Sequence, residues 1–138
     1  MRRLALVVGI CGVVIACSGC LSLTRAERED LRILKEAGVS LDEPRLKSPT
    51  MAAVFNVLPG VGNFYLASGT EETEMWAIGG INVLFWPLSI IWGVPEAAID
   101  AGTMNKREAI YYYMRTEKGR NELKDAQDRM DRLPPIRR

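Results

Sequence analysis

Residues 51–95 read MAAVFNVLPGVGNFYLASGTEETEMWAIGGINVLFWPLSIIWGVP, and this stretch decides the fold. Met51 to Ser68 contains no charged residue, and neither does Met75 to Pro95. Between them, Gly69 to Glu74 (GTEETE) is a polar, acidic turn. Two apolar segments joined this way predict a helical hairpin. The first segment is not expected to be one straight helix. Pro59 removes a hydrogen bond from a helix interior, and Gly60 and Gly62 add backbone freedom. The second is about 21 residues long and at ~1.5 Å per residue reaches ~30 Å, enough for a transmembrane helix. Pro87 predicts a kink in its middle. Trp76 and Trp92 lie near its ends, where indoles favour the headgroup region of a bilayer. The alternative is a buried hairpin in a soluble core, but the flanking segments are too polar to cover both runs on every side.

Asn56, Asn63 and Asn82 are polar positions inside these runs. They suit hydrogen bonds across the hairpin or to a second copy of the chain; lining a pore is the sharper alternative. Gly60 and Gly62 suit close helix–helix approach. They do not make a phosphate loop, because no Lys-Ser or Lys-Thr pair follows them.

Downstream, Glu96 to Asn105 predicts a short amphipathic helix starting at Pro95. Asn105 and Glu108 have capping-box spacing. Ala109, Tyr112, Thr116, Gly119, Leu123, Ala126, Met130 and Leu133 then follow a heptad rhythm, as one long helix or as two that break near Thr116–Gly119. Tyr111, Tyr112 and Tyr113 suit a membrane interface, with rings buried and hydroxyls wet; packing on the hairpin is a compatible reading. Pro134-Pro135 ends the helix. Glu96 and Asp100, four residues apart, share one helix face. Such a pair beside a membrane can have raised pKa values and act as acid and base, but acidic residues are also favoured in a first helical turn, and no nucleophile accompanies them.

Upstream, Thr24 and Glu27 have capping-box spacing. Leu31, Leu34 and Ala37 form a thin apolar stripe, and Gly38 is a helix stop. This predicts a solvated, surface-lying helix, followed by a loop with Pro44 and Pro49 as breakers. At the N-terminus, Arg2 and Arg3 precede the uncharged run Leu4 to Ala16, which has the length of a signal-peptide core. Ser18, Gly19 and Cys20 follow. Small residues fit a peptidase groove, and the Cys20 sulfur is a nucleophile suited to thioether lipidation.

Composition narrows the function classes. The 138 residues include 18 Lys and Arg against 17 Asp and Glu, no histidine and 3 cysteines. A near-neutral balance gives no reason to expect nucleic acid. If the first 19 residues are removed, Cys11 and Cys17 leave with them and Cys20 carries lipid. The remaining chain, about 119 residues and enough for one domain, then holds no free thiol. Cys/His metal sites, Cys–His pairs and Ser–His–Asp triads are excluded by inventory.

Two resemblances follow from these residues. Ser18-Gly19-Cys20 resembles the lipobox of bacterial lipoproteins, in which cleavage after the glycine leaves a diacylglyceryl-modified cysteine, with acyl chains such as palmitate, as the mature N-terminus. Cys17 stands where that family usually has Leu, Val or Ile. An uncleaved anchor, or an ordinary signal cut near Ala16 or Ser18, is the alternative. Lys47-Ser48 and Leu58-Pro59-Gly60-Val61-Gly62-Asn63-Phe64-Tyr65-Leu66 resemble the TM-two type of domain, which pairs two hydrophobic helices around a Gly-rich stretch. The likeness covers roughly residues 47 to 100. The family's final glycine is displaced to Gly69. This resemblance implies a helical membrane hairpin and no common catalytic activity.

The expectation is therefore all-α: a membrane-associated helical hairpin flanked by amphipathic or charged helices. Its parts are a lipoprotein signal peptide (1–19), an N-terminal helix and linker (20–50), the hairpin (51–95) and a charged C-terminal arm (96–138). The expected site residues are Cys20 for lipidation, Gly19 and Cys20 for cleavage, Pro59, Gly60, Gly62, Asn63 and Tyr65 for hairpin packing, and Trp76, Trp92 and Tyr112 at the membrane interface. No enzyme activity, cofactor, metal or nucleic-acid partner is expected. The expected partners are membrane lipid and either an envelope protein or a second copy. The expected function is a structural or interaction role in the bacterial cell envelope, lipid-anchored and facing the periplasm or exterior, with inner or outer membrane left open. The alternative is a membrane-active or pore-forming oligomer. A spanning hairpin would put the three glutamates of GTEETE in the cytoplasm and leave the basic start of the arm outside, against the positive-inside bias. A shallow hairpin that turns back before crossing is favoured.

Overall fold

The fold was analysed in a computed structural model, which describes residues 21–41 and 46–132. Cys20, Gly19, Pro44 and Pro134-Pro135 lie outside these residues. Among the described residues there are six helices and no strand: α1 Arg25–Glu36, α2 Pro49–Phe55, α3 Val61–Ala67, α4 Glu74–Leu84, α5 Ile90–Arg115 and α6 Glu117–Asp131. The all-α expectation holds. The described residues divide into two compact units, one holding Lys47–Gly102 with residues 21 and 22, the other holding residues 23–41, 46 and 103–132.

The first unit holds α2, α3, α4 and the start of α5, with α3 packed on both α2 and α4. Helix α2 starts at Pro49, after Ser48, whose hydroxyl accepts from the Met51 amide. It ends at Asn56, and Gly60, at φ +81°, turns the chain into α3. Gly69, also at positive φ, opens the acidic turn that leads to α4. The second apolar segment does not form one helix. Helix α4 stops at Leu84, a turn with a cis Trp86–Pro87 bond follows, and α5 begins at Ile90. The sequence predicted a kink at Pro87; the structure has a full break. As a result, no helix of the described residues is long and apolar enough to cross a membrane.

Pro95 does not start a helix but lies inside α5. It is the sixth residue of the helix, so the missing N–H costs one bond close to the helix start. Asn105 is likewise interior to α5 rather than a cap, and its side-chain oxygen accepts from the Leu46 amide at 3.0 Å.

In the second unit α1 has both bonds of a capping box: Glu27 N–H donates to Thr24 Oγ1, and Thr24 N–H to Glu27 Oε2. It ends in a Schellman motif. Gly38, at φ +69°, donates to Lys35 O, and Val39 donates to Leu34 O. The stripe expected on a solvated helix instead closes a core, in which Leu31, Leu34 and Ala37 pack with Ile110, Tyr113 and Leu123. The helix break falls at Thr116, whose extended backbone and side-chain bond from the Gly119 amide cap α6. Gly119 is required there, because a Cβ would lie 2.1 Å from Tyr112 O.

Candidate membrane-contact surface

The first unit buries a set of polar side chains beside Leu66 and Met75 and exposes large apolar ones. Asn56, Asn63, Asn82 and Ser89 are buried, while Leu58, Leu84, Trp86, Leu88 and Ile91 are exposed, Leu84 to 81%. An amide withdrawn from water costs free energy unless it is hydrogen-bonded, and here the amides satisfy one another. Asn82 Nδ2 donates to Asn63 Oδ1 at 2.9 Å, and Trp92 Nε1 donates to Asn82 Oδ1 at 2.9 Å. Ser89 Oγ donates to Asn82 O at 2.6 Å. Asn56 bridges two turns, accepting from Gly62 N and donating to Gly93 O. The Asn82–Asn63 bond joins the two uncharged runs. One donor, Asn63 Nδ2, is buried with no acceptor among the described residues.

Glycines let the backbones come close enough for these bonds. A Cβ on Gly60 would lie 2.3 Å from Gly79 O, and one on Gly62 would lie 2.2 Å from Ala52 O. Gly79 and Gly93 are used in the same way, against the Phe64 ring and the Asn56 amide. Nothing local in the sequence marks Gly79, Gly93 or Ser89, because the partners that need them, Phe64, Asn56 and Asn82, lie on other segments.

The two apolar turns lie at the same end of the unit. Gly60 sits against Gly79 and Val83, so Val57 and Leu58 are placed beside the C-terminal end of α4. Residues 51–68 and 75–95 are uncharged, and Lys47, Glu72 and Asp100 lie at the other end, with Glu96 about 6 Å nearer the apolar turns along α5. There Lys47 donates through Nζ to Tyr65 O at 2.8 Å and to Ser68 O, and lies over the Tyr65 ring, 4.6 Å from its centroid. Ser48 N–H donates to the Tyr65 hydroxyl, and Phe55 meets Tyr65 edge-on. Lys47 thus neutralises the free carbonyls at the end of α3. These contacts involve the Lys47-Ser48 and Tyr65 residues that carry the TM-two resemblance.

At the same charged end the Leu21 amide donates to Asp100 Oδ1 at 2.6 Å. Asp100 is fully buried, and its Oδ2 has no partner among the described residues. Burial pushes its pKa up to about 6; the Leu21 bond opposes this and the nearby Glu72 adds to it. Burial, with the Asp100 charge, pushes Glu96 up to about 7. These carboxyls share a helix face as the sequence suggested.

The other expected site residues separate. Pro59 is half-buried in the turn between α2 and α3. Trp76, half-exposed at the charged end of α4, stacks on Phe64 at 5.4 Å. Trp92 is half-buried with its N–H turned inward to Asn82. Tyr112 packs on the core of the second unit, edge-on to Tyr113, and its hydroxyl donates to Glu122 at 3.1 Å. Of the three tyrosines, Tyr111 is the exposed one. Comparisons with protein-family models, curated proteins and solved structures found no match to this chain, so the lipobox and TM-two likenesses rest on the residues quoted for them.

Proposed function

We propose that the chain is a small lipid-anchored protein of the bacterial cell envelope, held by a lipid on Cys20 and by the apolar end of its first unit, with a structural or interaction role. The observation that carries this reading is the exposed, uncharged end of that unit, bearing Leu58, Leu84, Trp86 and Ile91, over buried, hydrogen-bonded asparagines. Such a patch is unfavourable in water and matches hydrocarbon, where amides must bond internally. Arg2 and Arg3, the apolar run after them and Ser18-Gly19-Cys20 supply the anchoring signal. The charged second unit, with α1 and α6, is the surface left for a protein partner.

The test is metabolic labelling with a tagged fatty acid. The natural chain should incorporate label and sediment with membranes, and Cys20→Ala should incorporate none and accumulate as precursor. Label persisting in Cys20→Ala, or a natural chain found mostly in the soluble fraction, refutes the proposal.

A further inference from the structure

We propose that the apolar end of the first unit enters the same leaflet that receives the Cys20 lipid, reaching about the bilayer midplane, and that the Leu21–Asp100 hydrogen bond sets this depth. The inference rests on the lipoprotein reading and adds which leaflet is entered and how far.

Three observations meet here. First, charge is segregated along the unit. Lys47, Glu71, Glu72, Glu74, Glu96 and Asp100 lie outside the two uncharged runs, whose turns at residues 57–60 and 85–89 form the opposite end. Second, the lengths match one leaflet. From Ile91 to Asp100 helix α5 rises about 13.5 Å, and α4, with 11 residues, rises about 16 Å. Half a hydrocarbon core is about 15 Å, and no helix of the described residues is long enough to cross a whole one. Third, Leu21 is held at the charged end. The Leu21 amide is bonded to buried Asp100, and Cys20 is the next residue in sequence. A glyceryl thioether belongs at headgroup level, with its acyl chains running inward. If Leu21 is tied at the level of Asp100, those chains and the apolar turns point into one leaflet, and the turns reach their depth without carrying Glu71, Glu72 or Glu74 across. Trp76, at the charged end of α4, then sits where indoles are favoured.

The experiment uses the processed, lipidated protein, residues 20–138, added to preformed vesicles of phosphatidylcholine and phosphatidylglycerol. A bimane is placed on Leu88→Cys or Glu71→Cys, the only free thiol once Cys20 is a thioether. Quenchers are phospholipids brominated near the acyl-chain end or near the headgroup, and aqueous iodide outside. The expected result is several-fold stronger quenching of the residue 88 probe by deep bromines than by iodide, and the reverse at residue 71. Asp100→Leu should shift the residue 88 probe's preference between deep and shallow bromines, whereas Asp100→Asn, which keeps the acceptor, should not. Iodide quenching at residue 88 while mass spectrometry shows lipid on Cys20 overturns the inference and leaves the lipoprotein reading standing. A residue 88 probe shielded from both bromine and iodide means that a second copy covers the patch, and also overturns it. Protection of residue 71 from outside iodide shows a spanning hairpin. An unchanged depth in Asp100→Leu removes the role given to Asp100. An unmodified Cys20 overturns both readings together.

Discussion

Asn82 and Asn63, 19 residues apart in sequence, meet side chain to side chain at 2.9 Å in the interior of the first unit, and neither is exposed beyond 1%. Their bond joins α3 to α4, and the indole N–H of Trp92 extends it to α5. Removing one member leaves buried polar atoms without partners. Asn82→Leu should therefore lower stability by about 2–4 kcal/mol, and Asn63→Leu by less, because its Nδ2 is already without an acceptor among the described residues. Urea unfolding of the detergent-solubilised chain, followed by circular dichroism, measures both. Equal midpoints for Asn82→Leu and the natural chain would deny the network any structural role.

Two adjacent glycines of α4 should behave oppositely. A Cβ on Gly79 would lie 2.3 Å from the Phe64 ring, which also stacks on Trp76, whereas one on Gly80 meets nothing within 4 Å. Gly79→Ala should destabilise by about 1–3 kcal/mol through overpacking. Gly80→Ala should be neutral or stabilise by up to about 1 kcal/mol through helix propensity. The same unfolding midpoints test this, and Trp76 fluorescence should change only for Gly79→Ala.

Stability should depend on pH through Glu96 and Asp100. Folding raises their pKa values to about 7 and about 6, while in the unfolded chain both ionise near pH about 4. Between these limits the folded form binds more protons than the unfolded form. The stability contributed by the protonated carboxyls is complete below about pH 4 and is lost as pH rises through about 6 to 7. Relative to the natural chain, Glu96→Gln should gain thermal stability steadily from about pH 5 to about pH 8. A constant difference in melting temperature across that range would show that Glu96 does not titrate this way.

The break between α5 and α6 should be sensitive to Gly119. Adding a Cβ there brings it 2.1 Å from Tyr112 O and 2.9 Å from the capping Thr116 Oγ1. Gly119→Ala should cost about 2 kcal/mol or more, despite the higher helix propensity of alanine. Thr116→Ala, which removes only the cap, should cost about 1 kcal/mol. Amide hydrogen exchange of residues 117–131 should rise in both variants, more in the first.

What could be read from the sequence was local. The uncharged runs, the break at Pro59 and Gly60, the Thr24 capping box and the Gly38 stop each depend on residues within a turn of one another, and backbone geometry makes such signals nearly self-sufficient. The same locality misled at Pro95 and Asn105. Each carries a helix-start signal, yet continuing α5 through both was favoured once its neighbours were packed. Tertiary structure alone decided how the side chains pair: Asn82 with Asn63 and Trp92, Gly79 rather than Gly80 against Phe64, and Leu21 with Asp100 across 79 residues. Periodicity shows that an asparagine lies within an apolar run, but its partner is set by whichever buried donor or acceptor the folded backbone brings within about 3 Å. The sequence by itself determined where charge is absent. The fold decided that these uncharged runs turn Asn56, Asn63 and Asn82 inward and leave Leu58, Leu84, Trp86 and Leu88 outward, because a buried amide needs a partner and a leucine does not.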